Sequence, residues 1–167
     1  PDSITVHLYQ SDGEGKKKEV RGSEVKTLSE ENHWENTFKS LPVCDKKGNP
    51  FIYSVTEDTV PGYVSNIEQY SLTNVLETRD ITVTKVWNDQ NNKYGTRPGQ
   101  ITVQLLRNGN AFKDPVVLSA DQGWSYTYQD LPVRDADGNA YIYTASETAV
   151  SGYTTSVQGT TITNTYI

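Results

Sequence analysis

A lysine, a glutamate and an asparagine stand in this sequence at positions where apolar residues are expected. Strand side chains alternate between two faces, so the parity of a position tells which face it takes. In Ile81-Thr-Val-Thr-Lys-Val-Trp87, the residues Ile81, Val83, Lys85 and Trp87 share one face, and Thr82 and Thr84 take the other. Tyr141, Tyr143, Ala145 and Glu147 fall in one phase, as do Ile162, Asn164 and Tyr166 near the end of the chain. A charged or amide group on an apolar face is costly unless it is paired. Three such groups on three strands are therefore expected to meet. Their meeting has a chemistry. Desolvation lowers a lysine pKa and raises a glutamate pKa, so the pair can exist as free amine and neutral acid. The amine is a nucleophile, the asparagine carbonyl an electrophile, and an acid on that carbonyl would polarise it and pass protons to departing ammonia. The product is a Lys–Asn isopeptide bond between Lys85 and Asn164, with Glu147 as the acid. It would form once per molecule, driven by the proximity that folding supplies. On this reading the chain is a single-turnover self-crosslinker, not an enzyme with a diffusible substrate.

The elements that position these residues are repeated. Residues 33–77 align with 123–167 at a constant offset of 90, and sixteen of those 45 positions are identical, Trp34/Trp124, Tyr53/Tyr143, Glu57/Glu147 and Asn74/Asn164 among them. The start of the chain aligns at an offset of 97, with Pro1, Ile4, Thr5, Val6 and Leu8 matching Pro98, Ile101, Thr102, Val103 and Leu105. An internal repeat decides the architecture before any single element does. Two domains are expected, 1–78 and 79–167, with only residues 77–80 between the copies. The change of offset places seven extra residues in the first copy, within the Gly/Lys/Glu-rich stretch 12–24, which reads as a long solvated hairpin. Tyr, Val and Thr are frequent, and turn signals such as Asn108-Gly109 and Asp137-Gly138 punctuate short alternating runs (101–105, 124–128, 141–145 and 160–167). That pattern predicts an all-β antiparallel sandwich.

The copies differ at one place. The first begins at the equivalent of Pro98 and has no counterpart of residues 80–97, so the strand that carries Lys85 is absent from it. Glu57 and Asn74 repeat the acid and the amide. Lys16, Lys17 and Lys18 lie in the hairpin insertion and Lys26 just after it, and none falls in an alternating apolar run like that of Lys85. Glu57 is thus expected to be idle, Asn74 to be an unpaired acceptor, and the first domain to be open to a complementing strand or peptide.

Val83-Thr-Lys85-Val-Trp87, Tyr143-Thr-Ala-Ser-Glu147 followed by Gly152-Tyr153, and Ile162-Thr-Asn164-Thr-Tyr166 together resemble the Cna protein B-type (CnaB) domain. The resemblance covers nearly all of the second copy and all but the first strand of the first. It implies two tandem reverse immunoglobulin-like sandwiches, with Lys85, Asn164 and Glu147 as amine, acceptor and catalytic acid. It further implies a stalk or spacer module of a Gram-positive surface adhesin or pilus, extracellular and anchored to the cell wall. Neighbouring repeats of the same protein would be its partners. The alternatives are a host-protein-binding module and a split domain that forms an intermolecular isopeptide.

Charge and composition narrow the field. A net charge of −6 argues against nucleic acid, and no apolar run is long enough for a membrane span. Neither a cofactor nor a metal site is expected. Asp135-x-Asp137-Gly138 resembles part of a calcium loop but lacks the remaining ligand positions, so a hairpin turn is expected there. Leu41-Pro42-Val43 and Leu131-Pro132-Val133 read as strand-to-turn junctions, His7 and His33 as surface residues, and Cys44 as a free exposed thiol.

Overall fold

In a computed structural model the described residues are 1–20 and 25–167, and they divide into two units, Pro1–Glu77 and Thr78–Ile167. The second unit is the more complete. Its strands are β7 (Thr78–Asn88), β8 (Gln100–Arg107), β9 (Asn110–Ala111), β10 (Val116–Ser119), β11 (Ser125–Pro132), β12 (Tyr143–Glu147), β13 (Tyr153–Gln158) and β14 (Thr161–Tyr166); the first unit contributes β1 to β6. One sheet runs β10-β8-β12 with β9 also on β8, and the other runs β11-β7-β14-β13. Every pairing in this unit is antiparallel except that of β14 with β7, the last strand with the first, which is parallel. Alternation explains the packing. Ile81 and Val83 from one sheet meet Ile101, Val103, Leu105, Leu118 and Tyr143 from the other in a single buried cluster that also holds Leu131 and Ile162.

Local chemistry sets the connections. The β8–β9 hairpin turns on Asn108 (φ 50) and Gly109 (φ 80), the pair of left-handed residues that a two-residue turn of this hand requires. A register shift between Tyr128 and Leu131 in β11 sends Leu131 into the core, where it is 1% exposed. Trp124 does not join the alternation expected for 124–128. It sits at φ 57 directly before β11, behind the short 3₁₀ turn 120–122. The hairpin at Asp135 closes as a turn, because the Asp135 carboxylate accepts from the backbone amides of Asp137 (3.0 Å) and Asn139 (2.8 Å).

The first unit builds the same first sheet. Strand β1 (Ser3–Ser11) pairs with β2 (Lys17–Glu19), β3 (Val25–Ser29) and β4 (Ile52–Glu57). Its second wall is reduced to β5 (Tyr63–Glu68) and β6 (Ser71–Leu76), paired with each other. The counterpart of β11, residues 35–42, forms no strand. The reason is physical: β11 pairs with β7, and a strand needs a neighbour to take its backbone N–H and C=O groups. The described core of this unit shrinks accordingly to Ile4, Val6, Leu8 and Val55, with Leu28, Phe38, Leu41 and Leu72 only partly covered. The expected all-β fold built of antiparallel sheets in two repeated units is the one observed.

The insertion 12–24 contributes a turn at 12–15 and β2; its residues 21–24 lie outside the described ones. His7 lies near the surface as expected, and there it has two carboxylate neighbours. Its Nδ1 lies 2.6 Å from Glu19 Oε1 on β2 and its Nε2 lies 2.8 Å from Asp58 Oδ1 after β4. The Glu19 carboxylate first and that of Asp58 second hold the imidazole pKa above its ordinary value. A raised pKa means that this contribution is full below about pH 6.5 and is lost as pH rises through the folded value. The Val20 amide, which donates to Leu8 O at 2.9 Å, should therefore exchange faster with solvent as pH rises through that window than intrinsic exchange explains. His7→Gln should remove the excess. An excess that persisted in His7→Gln would assign it elsewhere.

Candidate functional site

The parallel pairing of β7 with β14 sets Lys85 opposite Ile162 and Trp87 opposite Asn164, so Lys85 and Asn164 point into the core from adjacent strands. Lys85 is 4% exposed and Asn164 0%. Facing them from the other sheet is Glu147, the last residue of β12, in phase with buried Tyr143 and Ala145. Its carboxylate bridges the two. Glu147 Oε2 accepts from Lys85 Nζ at 2.6 Å, and Oε1 accepts from Asn164 Nδ2 at 2.7 Å. The side chains of Lys85 and Glu147 are both wholly screened from solvent. Burial pushes the Lys85 amine below its ordinary pKa, against the opposing pull of the Glu147 carboxylate. Asn164 Oδ1 is buried without a partner. The structure therefore brings together the three residues that parity singled out, with the carboxyl group between the amine and the amide.

A roof lies over the amine. The Trp87 ring is centred 4.5 Å from Lys85 Nζ and packs edge-on against Trp124 (5.2 Å) and Tyr153 (5.1 Å). The Arg97 guanidinium lies 5.4 Å from the same ring. Arg97 is held by Asp89, donating from both Nε (2.9 Å) and Nη2. Asp89, only 4% exposed, also accepts from the Asn92 amide (2.9 Å) and the Tyr153 hydroxyl (3.1 Å). The Arg97 guanidinium beside it holds the Asp89 carboxyl pKa down to about 2. This clamp ties the loop after β7 to β13. No sequence motif singled out this clamp, although parity carried two residues past Trp87 puts Asp89 in phase with Lys85.

In the first unit Asn74 Nδ2 donates to Glu57 Oε2 at 2.9 Å, repeating half of the arrangement. Glu57 Oε1 and Asn74 Oδ1 are buried with no partner. Lys16, Lys17 and Lys18 are exposed, and Lys26 on β3 stands over the Phe38 ring at 5.8 Å. Cys44 is exposed and unpaired.

A model of the Cna protein B-type domain matches residues 1–75 and again 81–165. The chain belongs to that family. It is 37% identical, over 99% of its length, to a collagen adhesin of Staphylococcus aureus, of which it spans 14%. It also resembles the crystal structure of a single B repeat unit (B1) of the collagen binding surface protein of that organism. There the identity is 33%, the TM-score 0.51, and the coverage 99% of this chain and 88% of the other. A structure of two such units (B1B2) matches at 32% identity and a TM-score of 0.49, covering 99% of this chain and 43% of that one.

Proposed function

We propose that the second CnaB unit crosslinks itself between Lys85 and Asn164, and that the chain is a stalk or spacer module of an extracellular adhesin on a Gram-positive cell surface. The observation that carries the crosslink is the Glu147 carboxyl, hydrogen-bonded to both reactants in a site closed to water. A proton passes from Lys85 Nζ to Glu147 Oε2 across 2.6 Å, leaving a neutral amine and a neutral acid. A half-turn of the Asn164 amide brings Oδ1 to face Glu147 Oε1, and rotation of the carboxyl group carries its proton round to donate to Oδ1 and polarise the carbonyl. Nζ attacks Cγ, the new Nζ–Cγ bond forms, and the Cγ–Nδ2 bond breaks. Nδ2 takes one proton and leaves as ammonia, and the last proton released by the lysine stays on Glu147.

The spacer reading is supported by membership of a repeat-building family and by a span of 14% of a matched adhesin, the scale of a module within a long protein. A covalent tie across about 79 residues, from 85 to 164, would stabilise the unit by about 4.5 kcal/mol if it acts as a disulfide does. Neighbouring repeats are its natural partners. Intact mass tests the crosslink. The purified chain should weigh one ammonia less than its sequence, with a digest fragment joining residues 85 and 164. A mass equal to the sequence value would overturn the proposal.

A further inference from the structure

Among the described residues of the second unit, three side-chain atoms are buried with no hydrogen-bond partner: Trp87 Nε1, Asn164 Oδ1 and the Tyr128 hydroxyl. Two of them complement each other. An indole N–H can only donate, an amide oxygen can only accept, and a buried polar atom left unpaired is costly. Trp87 and Asn164 are register partners on β7 and β14, on the inward face that Lys85 shares. They also share a neighbour. Lys85 Nζ lies 4.5 Å from the centre of the Trp87 ring, and the carboxylate that holds Nζ holds the Asn164 amide as well. Tyr128 stands opposite Ile81, toward the start of β7 and away from the site.

The reaction needs such a donor. Attack on Asn164 Cγ drives an electron pair onto Oδ1, in a site closed to water. Glu147 supplies one donor to that oxygen. The N–H groups of Lys85 Nζ and Asn164 Nδ2 belong to the nucleophile and the leaving group, which leaves the indole. Its ring is only half-buried, yet it is fixed on several sides. Trp124 and Tyr153 pack edge-on against it, Arg97 stands over it, and Asp89 locks both Arg97 and the Tyr153 hydroxyl. A donor held in place before charge appears costs no reorganisation when the charge arrives.

We propose that Trp87 is a further catalytic residue of the crosslinking reaction, its indole N–H donating to Asn164 Oδ1 as negative charge gathers there. This rests on the Lys85–Asn164 reaction proposed for the second unit. As Nζ bonds to Cγ, the carbonyl pair moves onto Oδ1, where the protonated Glu147 and the Trp87 N–H both donate to it. The pair returns as the Cγ–Nδ2 bond breaks, and Nδ2 leaves as ammonia with one proton from the amine. Trp87 gives up no proton. The isopeptide carbonyl keeps the indole as its partner, so both orphaned atoms end satisfied.

The test follows the full chain in cell-free synthesis, quenched in denaturant at intervals and weighed, with folding read in parallel by protease resistance. Two variants are compared with the parent: Trp87→Phe, and replacement of Trp87 by 3-benzothienylalanine, which keeps the indole shape and puts sulfur in place of the N–H. The parent should lose one ammonia as it folds, and the folded benzothienyl variant should lose it about a hundredfold more slowly. The Trp87 indole proton, identified by its absence from Trp87→Phe, should resonate downfield in the parent relative to Lys85→Met, which forms no bond. Ammonia loss at the parent rate in the benzothienyl variant would overturn the role, even with Trp87→Phe slowed, because only packing would then matter. An indole resonance unmoved between the parent and Lys85→Met would overturn it too. A parent chain that kept its full mass would overturn the crosslink itself, a failure read before any variant is compared.

Discussion

Glu147→Ala is expected to yield a protein that retains its full sequence mass and melts far below the parent chain. Two losses combine. The first is the crosslink, worth about 4.5 kcal/mol by analogy with a disulfide closing a loop of this length. That corresponds to roughly 20–35 °C in the melting temperature of a domain this small. The second is the counter-ion of a lysine whose side chain is wholly buried, and stranding such a charge costs about 3–5 kcal/mol. The two share a site, so they need not add. Lys85→Met separates them, because it also prevents the bond but leaves no ammonium in the core. Calorimetry with intact mass should rank the melting temperatures as parent, then Lys85→Met, then Glu147→Ala. Equal melting of the two variants would mean that the charge is not stranded, and equal melting of all three would remove any stabilising role for the bond.

Asp89→Ala is expected to have the second-largest effect, without altering any reactant. The substitution leaves the Arg97 guanidinium and the Tyr153 hydroxyl without their acceptor and frees the Trp87 roof. A loss of about 3 kcal/mol is expected for breaking one half of so enclosed an ion pair. Its pH signature is specific. The folded carboxyl pKa, near 2, lies below the unfolded value of about 3.9. Asp89 therefore contributes stability that is present above about pH 4 and is lost as pH falls through 2. Asp89→Asn should flatten that limb of a melting-temperature profile. An unchanged acid limb in Asp89→Asn would place the acid sensitivity elsewhere.

Much of this site was legible because strands report their faces through parity. Lys85, Glu147 and Asn164 could be put in one core from a count of two, and the offsets of 90 and 97 matched Glu57 and Asn74 to Glu147 and Asn164 and marked the insertion between the copies. Elements whose form depends on a distant partner were less legible. Residues 35–42 match a strand of the other copy and yet form none, since their ladder partner is β7 in that copy. Trp124 takes a left-handed backbone that no local pattern announces. His7 looked solitary because Glu19 and Asp58, its partners, lie 12 and 51 residues away in the chain. The loop carboxylate Asp89 gained its meaning only when folding brought Tyr153 to it.

The parallel pairing of β7 with β14 also sets the order of events during folding. Antiparallel neighbours such as β13 and β14 can zip from a short turn, but β7 must wait for a partner that starts more than seventy residues later. Closing so non-local a ladder is among the slowest steps available to a domain of this kind. Asn164 therefore comes beside Lys85 only when the final strand is in place, and a chain stalled or truncated before β14 has no acceptor to offer. If the proposed bond forms, a site assembled by first and last strands makes the geometry itself a completion check: the reactants meet only when the whole unit has been made and folded.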